Sequence, residues 1–423
     1  MKRRDFLKSS AATAAVPLLA SPLFATNNKT LKVGLIGCGG RGKGAAFDAL
    51  RADANTQLYA MCDVFEDRLE SGFQDIHNFV NSEGADLAAD RMDVPKERRF
   101  SGFDGYKELL DSGVDVVILA TTPGFRPEHL AAAVDAGKDI FTEKPVAVDA
   151  PGIRSVLETA KKASEKGLRI AHGFCWRSHF GKQAIYEKIN QGAIGDVRLA
   201  YATYLAGGVW SRSTNEGMSE QERQLRNWYY YTYLSGDHIV EQAVHSVDKL
   251  LWAFGDRTPE FAIALGGRQA RTEAKYGNIF DHFSVVYEYA DGAQAHLLTR
   301  QQSGTAGENL DRVLGADGIA WIDGWANKFR IEGKNPWEYS GPSNNMYQTE
   351  HDTFFAALRA GKDYNQLEAA AQSTMAAILG RMASYSGKRL TWAKALASEE
   401  RLLPEKWGWG DAPMRPVAIP GRS

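Results

Sequence analysis

Thr30-Leu31-Lys32-Val33-Gly34-Leu35-Ile36-Gly37-Cys38-Gly39-Gly40-Arg41-Gly42 decides the fold of this chain. The run up to Ile36 is apolar and of strand length, and alanine-rich, helix-favouring sequence follows from Lys43 to Leu50. Between them stands Gly37-x-Gly39-x-x-Gly42, whose glycines suit a tight turn, close backbone approach to a pyrophosphate, and close helix–strand packing. Gly40 and Arg41 lie inside the loop, and the free N–H groups of the helix start suit phosphate charge. On its own the pattern also reads as a glycine-rich turn. A second strand, Gln57 to Cys62, ends at Asp63, 21 residues past Gly42. A carboxylate there accepts from ribose hydroxyls and repels a 2′-phosphate, so the expected cofactor is NAD. Arg41 and Arg68, near in sequence, soften that preference and keep NADP open.

Working outward, residues 64–100 are mostly polar and helical, a surface excursion. Val114 to Ala120 reads as a buried parallel strand ending in Thr121-Thr122-Pro123. A helix with Leu130, Ala133 and Val134 on one face stops at Gly137, and the strand Asp139 to Thr142 ends in Glu143-Lys144-Pro145. This alternation predicts a doubly wound parallel sheet, with both strand-end motifs at its ligand-binding carboxyl edge. Lys144 there suits polarising or protonating a substrate hydroxyl beside a nicotinamide, although an isolated Glu-Lys-Pro reads first as a solvated surface lysine.

After a helix near 152–166 the character changes. Phe280–Tyr289 and Ala293–Arg300 flank the turn dipeptide Asp291-Gly292, and Val313–Ile322 repeats the hairpin theme. The expected second domain is α+β, with an open, mainly antiparallel sheet covered on one face by helices such as 238–253. Helices near 346–360 and 366–386 buttress the domain junction. The organisation is therefore a leader over 1–25, a dinucleotide domain over 26–148, a substrate and assembly domain over 149–386, and a tail over 387–423.

The 423 residues, 44% hydrophobic and 24% charged, describe an ordinary globular chain long enough for two cores. A net charge of −2 gives no footprint for nucleic acid. Cys38, Cys62 and Cys175 are too few and scattered for a disulfide framework or zinc cluster. Residues 1–25 combine a basic start, a short apolar run and small residues, the pattern of a signal peptide. Arg3-Arg4-Asp5-Phe6-Leu7-Lys8 matches the twin-arginine motif, with Lys2 as the departure. The expected partner is the twin-arginine export machinery, which carries folded proteins, and the expected location is periplasmic or otherwise exported. The leader sets Lys2, Arg3, Arg4 and Lys8 against Asp5, so cleavage after Ala25 shifts the net charge from −2 to −5.

In Ser235–Asp248, helical spacing places His238, Glu241, His245 and Asp248 on one face about 80° wide. Ile239, Val240, Ala243, Val244 and Val247 share the other, and Asp237 suits the cap. A solvated polar face is one reading. A metal site is another, but the i, i+3, i+7 spacing is unlike that of zinc enzymes, and no metal is expected. The stretch from Tyr201 to Tyr233 is rich in aromatic residues, among them Tyr204 and Trp228, with Arg223 and Arg226 interleaved. Such rings suit a carbohydrate, and core packing serves as well for any single ring.

The glycine loop, Thr121-Thr122-Pro123 and Glu143-Lys144-Pro145 together resemble the glucose–fructose oxidoreductase / inositol dehydrogenase / rhizopine catabolism (Gfo/Idh/MocA) family, from about Leu31 to about Tyr385. The resemblance implies a Rossmann domain and places Gly37, Gly39, Gly40, Arg41, Gly42, Asp63, Thr121, Pro123, His129, Glu143, Lys144 and Arg177 on the cofactor side. It implies that Lys144 and His245 manage the proton of the reacting hydroxyl, with Glu241 or Asp248 orienting the histidine. The family pattern Asp-x-Gly-x-His-x-x-Asp is met here by Glu241, Ala243, His245 and Asp248. Tyr204, Arg226, Trp228 and His245 are the candidate substrate contacts. The implied protein is an exported, homo-oligomeric, NAD(P)-dependent oxidoreductase of a sugar, cyclitol or glycoside hydroxyl, with a recycling bound cofactor as a natural consequence of export. Two other readings stay open: a glycosidase-like enzyme using transient oxidation, elimination and re-reduction, and a non-catalytic sugar or dinucleotide sensor.

Overall fold

The computed structural model describes residues 29–82, 87–410, 412 and 414–422; the leader assigned to 1–25 lies outside them. Six parallel strands form the first sheet: β1 (Leu31–Ile36), β2 (Thr56–Asp63), β3 (Arg99–Ser101), β4 (Val116–Leu119), β5 (Asp139–Thr142) and β6 (Ile170–His172). Their order is β3-β2-β1-β4-β5-β6, so the direction of winding reverses between β1 and β4. A crevice opens at the carboxyl ends of strands at such a reversal. β4 is buried at every position, as a strand covered on both faces must be.

The helix after the glycine loop begins at Gly40 rather than Lys43, because the loop itself supplies the first turn. The helix expected near 152–166 runs Ala150–Glu165 instead, started by Asp149, whose side chain accepts from the Gly152 N–H, and by Pro151 in the first turn. Within 64–100 the helix is Glu66–Ser82, and β3, too short to carry a pattern, went unread.

The second sheet has nine strands: β7 (Val197–Ala206), β8 (Phe261–Gly267), β9 (His282–Glu288), β10 (Gln294–Gln301), β11 (Leu310–Gly315), β12 (Gly318–Asp323), β13 (Lys328–Gly333), β14 (Trp337–Glu338) and β15 (Leu390–Thr391). They run in the order β14-β13-β12-β11-β7-β10-β9-β8-β15, antiparallel except where β7 lies parallel to β10. Burial alternates strictly along β9 and β10, the sign of a sheet covered on one face. Leu367–Ser386 covers that face beside β8 and also packs on Ala150–Glu165, while Met346–Ala360 lies along Gly40–Ala52. Leu367–Ser386, which contacts β6 as well as β8 and β9, thus ties the two sheets together.

One expected element is broken. Residues 238–253 form two helices, His238–Glu241 and Val244–Ala253. The N–H groups of Gln242 and Ala243 both donate to the His238 carbonyl, at 3.0 and 2.9 Å, which inserts an extra residue into the turn. The single polar face inferred from uniform helical spacing therefore does not exist.

Candidate functional site

The crevice at the reversal holds a cavity of 390 Å³ lined by Gly37, Gly39, Gly40, Arg41, Gly42, Asp63, Thr121 and His129. Each glycine has a measurable reason. A Cβ on Gly37, at φ 100°, would stand 2.6 Å from the Ala120 backbone, and one on Gly42 would stand 1.9 Å from the Gly37 carbonyl oxygen. At Gly39 and Gly40 a Cβ would meet nothing within 4 Å. The first two positions hold the turn, and the other two leave open space above it. The helix start has no side-chain cap and no acidic residue in its first turn, so its N–H groups face that space. This cradle fits a dinucleotide pyrophosphate.

Asp63 ends β2 as its sequence position requires. Its two carboxylate oxygens accept from the backbone N–H groups of Cys38 (2.8 Å) and Phe65 (3.0 Å). Burial raises its pKa, and those amides oppose the rise. His129 packs against Tyr106 and Phe125, with Nδ1 3.2 Å from the Thr121 hydroxyl. Burial pushes its pKa down to about 3, so the ring is neutral.

A second cavity, of 380 Å³, shares Arg41, Ala120, Thr121 and Trp228 with the first. It brings together Pro123, Glu143, Lys144, Tyr204, Glu241 and His245. The Lys144–Pro145 peptide is cis. Lys144 Nζ donates to Oε1 of Glu241 at 2.9 Å and to its backbone carbonyl at 2.5 Å. Arg41 donates from Nε to Glu143 Oε1 at 2.5 Å, which ties the glycine loop to the end of β5. Gly173 is required beside this pair, since a Cβ there would stand 2.5 Å from the Glu143 carboxylate. His245 is held neutral, its pKa driven well below the usual value by burial and then by Lys144, Lys249 and Arg41. Its Nδ1 is buried without a hydrogen-bond partner. A neutral imidazole and a lysine amine thus line one pocket that shares Arg41, Ala120, Thr121 and Trp228 with the glycine cradle.

Three expected site residues stand elsewhere. Arg177 forms ion pairs with Asp248 and Asp256, at 2.9 and 2.6 Å, and lies over the Trp252 ring, so it is absent from both cavities. Asp248 is committed to that pair and to Ser373, which donates at 2.8 Å, and does not orient His245. Arg226 is held by Asp67 and Glu222 on the wall of a different cleft, because its helix ends before the chain turns into the pocket at Trp228. His238, on the supposed polar face, turns away to the Phe280 carbonyl (3.1 Å). Among the described residues, no three His, Cys, Asp or Glu side chains gather as metal ligands.

The structure adds Arg126, Gln242 and Asn309 to the second cavity. Arg126 binds the Thr121 carbonyl (2.5 Å) and the Glu143 carbonyl, clamping the ends of β4 and β5, and burial lowers its pKa to about 10. A guanidinium three residues before His129 was the available signal for it. Asn309 had none, since its place depends on strand pairing across the sheet.

Comparison with known proteins bears on both halves. Residues 31–172 match the Gfo/Idh/MocA oxidoreductase family with NAD-binding Rossmann fold, residues 183–320 match the Gfo/Idh/MocA C-terminal domain, and residues 1–20 match the twin-arginine translocation signal sequence. Inositol 2-dehydrogenase 3 of Saccharopolyspora erythraea is 24% identical over 63% of this chain and 65% of its own length. A glycosyl hydrolase family 109 protein of Shewanella pealeana is 24% identical over 56% of this chain and 52% of its own. The chain thus spans between about half and two thirds of the length of these curated relatives. The aldose-aldose oxidoreductase of Caulobacter crescentus, solved with glycerol, shares the fold with a TM-score of 0.66 at 16% identity, over 86% of this chain and 100% of its own.

Proposed function

The chain belongs to the Gfo/Idh/MocA oxidoreductase family, and from that premise we propose that it is an exported NAD(P)-dependent oxidoreductase acting on a CH–OH group of a sugar, cyclitol or glycoside. The observation that carries this reading is the meeting of Lys144 and His245 in a cavity continuous with the glycine cradle. Gly37 to Gly42, Asp63, Thr121 and His129 would hold the dinucleotide, whose nicotinamide would supply the hydride acceptor. His245, neutral at physiological pH, takes the hydroxyl proton as the C–H bond gives up its electron pair. Lys144, fixed by Glu241, holds the reacting oxygen in place. Glu241 is one methylene longer than the aspartate of the family pattern, and it meets the Lys144 amine with both its carboxylate and its backbone carbonyl.

The decisive experiment incubates purified protein with NAD and a panel of cyclitols and sugars while following absorbance of the reduced cofactor. Stoichiometric reduction that is lost in Lys144→Ala supports the assignment; full turnover by that variant would sink it. The relative named as a glycosyl hydrolase favours a second reading: transient oxidation, elimination of the aglycone and re-reduction by the same cofactor. Aglycone release with no net change in the cofactor identifies it. The twin-arginine leader supports a periplasmic location, with the cofactor installed before export. Self-association through the uncovered face of the second sheet belongs to the same reading, since Ile263 and Leu265 are 51% and 77% exposed there; size-exclusion chromatography with light scattering tests it.

A further inference from the structure

The wall of the second cavity formed by the nine-stranded sheet has a polarity that can be deduced donor by donor. Arg271, buried, donates from Nη1 to Oε1 of Gln301 at 2.8 Å. A guanidinium only donates, so the orientation of the Gln301 amide is forced. Its Nε2 then donates to Tyr229 Oη (2.6 Å) and to Gln242 Oε1. Tyr229 also donates to Gln242 Oε1, at 3.0 Å. With that oxygen taken, Gln242 turns its Nε2 to Tyr204 Oη at 2.7 Å. Tyr204 thus receives a hydrogen bond from behind and keeps its own O–H for the cavity.

Asn309 is set by the same rule from another cation. Lys249 Nζ donates to its Oδ1 at 3.1 Å, and an ammonium cannot accept. The two N–H donors of Asn309 are therefore on the cavity side. The pairs Ala202–Asp311 and Leu205–Glu308 fix the register of β7 against the chain entering β11, and they place Tyr204 directly opposite Asn309. Opposite residues point to one face with Cβ atoms about 5 Å apart.

Charge agrees with this polarity. Behind Asn309, Lys249 and Lys182 share the single carboxylate of Asp311, at 2.5 and 2.6 Å, and all three are buried. Burial lowers the Lys182 pKa to about 8, while the two ammoniums outweigh burial at Asp311 and hold its carboxyl below the usual range. Around the cavity itself Arg41, Arg126 and Lys144 meet Glu143 and Glu241, with Glu350 and Asp48 behind Arg41 at 3.4 and 3.7 Å. Adjacent donors, one reached from Arg271 through the Gln301 and Gln242 amides and the other backed directly by Lys249, match a bidentate acceptor that carries negative charge.

We propose that Tyr204 and Asn309 form a carboxylate-binding subsite, so that the substrate of the oxidoreductase site is an acidic sugar such as a uronate. The inference rests on the proposed function and deepens it. Its test compares glucuronate with glucose by quenching of intrinsic tryptophan fluorescence, with Trp176, Trp228 and Trp325 lining the cavity as reporters. Glucuronate should bind about tenfold or more tightly. Asn309→Asp, which exchanges the donor for a like charge, and Tyr204→Phe should each bring that ratio toward one, with retained NAD and an unchanged melting temperature as evidence of folding. Equal affinity for the two sugars in the wild-type chain would overturn the proposal, and so would variants that fold and keep the ratio. Tight, variant-sensitive glucuronate binding without cofactor reduction would instead preserve the subsite and count against the oxidoreductase reading.

Discussion

On the dinucleotide side of the cleft the working surface is main chain: Gly37 at φ 100°, Gly42 against the Gly37 carbonyl, and open space above Gly39 and Gly40. Across the pocket it is side chains held by pairs distant in sequence, such as Lys144 with Glu241 and Lys182 with Asp311. A backbone surface fails where an added Cβ meets main chain that cannot move aside, as at Gly37 and Gly42, or where it fills the space left for the ligand, as at Gly39. A side-chain surface fails group by group, and each loss reports on one interaction. The comparison therefore predicts different kinds of damage on the two sides, not only different amounts.

The largest effect belongs to the cradle. Gly42→Val puts a Cβ inside the Gly37 carbonyl, and it should cost about 4 kcal/mol or more of stability along with NAD binding. Gly39→Val meets open space, so it should abolish NAD binding measured by calorimetry while chemical denaturation stays near wild type. Equal loss of stability in both variants would break the distinction between turn-holding and space-keeping glycines. On the other side, Lys144→Ala should lower kcat by about 10²- to 10⁴-fold with the cofactor still retained. Loss of cofactor in that variant would move the lysine to the dinucleotide side of the comparison.

Arg177 sharpens the boundary between site and scaffold. It is 20% exposed, while Asp248, its main partner, is 5% exposed. Arg177→Ala strands a buried carboxylate and should cost about 2 kcal/mol, less than a fully buried pair because water reaches the guanidinium. NAD affinity should stay unchanged. A tenfold weaker Kd for NAD without loss of stability would return Arg177 to the cofactor side.

How far the sequence could be read follows the same division. The first sheet was legible because each of its motifs is local: a strand, its terminal loop and the next helix lie within a few tens of residues. Lys144 and Asp63 emerge at strand ends, where topology alone aims them at the crevice. The late helices expected near 346–360 and 366–386 are found as Met346–Ala360 and Leu367–Ser386. Uniform helical geometry failed at His238–Ala243, because the shared carbonyl that inserts a residue leaves no mark in composition. Arg177 and Arg226 were misplaced for a related reason. Arg226, interleaved with aromatic residues, reads as a ligand contact, and Arg177 takes its cofactor-side place from the resemblance alone, until their carboxylate partners, Asp67 and Asp256, are brought beside them by the fold.

The smallest effect tests both sides together, through acid. His129 and His172 have pKa values pushed down to about 3 and about 4 by burial, and His245 and His351 are driven well below the usual value for the same reason. In the unfolded chain a histidine titrates near 6.5, so below that pH the unfolded state binds protons that the folded state refuses. The stabilisation is complete above pH 6.5 and is lost as pH falls. Between pH 7 and 6 each such ring should cost about 0.7 kcal/mol. The buried acids Asp48 and Asp63, whose pKa values are raised mainly by burial, push the other way: they protonate first in the folded state and recover stability on acidification. Their recovery begins above the unfolded value near 3.9 and offsets part of the histidine loss, so the histidine share is read as the difference between wild type and a histidine variant from pH 7 to 6. Melting temperature across that window should therefore fall, and His172→Phe should flatten the fall by its share without moving the acid limb of kcat/KM, because His172 lines neither cavity. His245→Asn should flatten it by a similar share and lower kcat as well. If the two variants changed kcat alike, the imidazole in the pocket would be scaffold, and the acid–base role would rest on Lys144 alone.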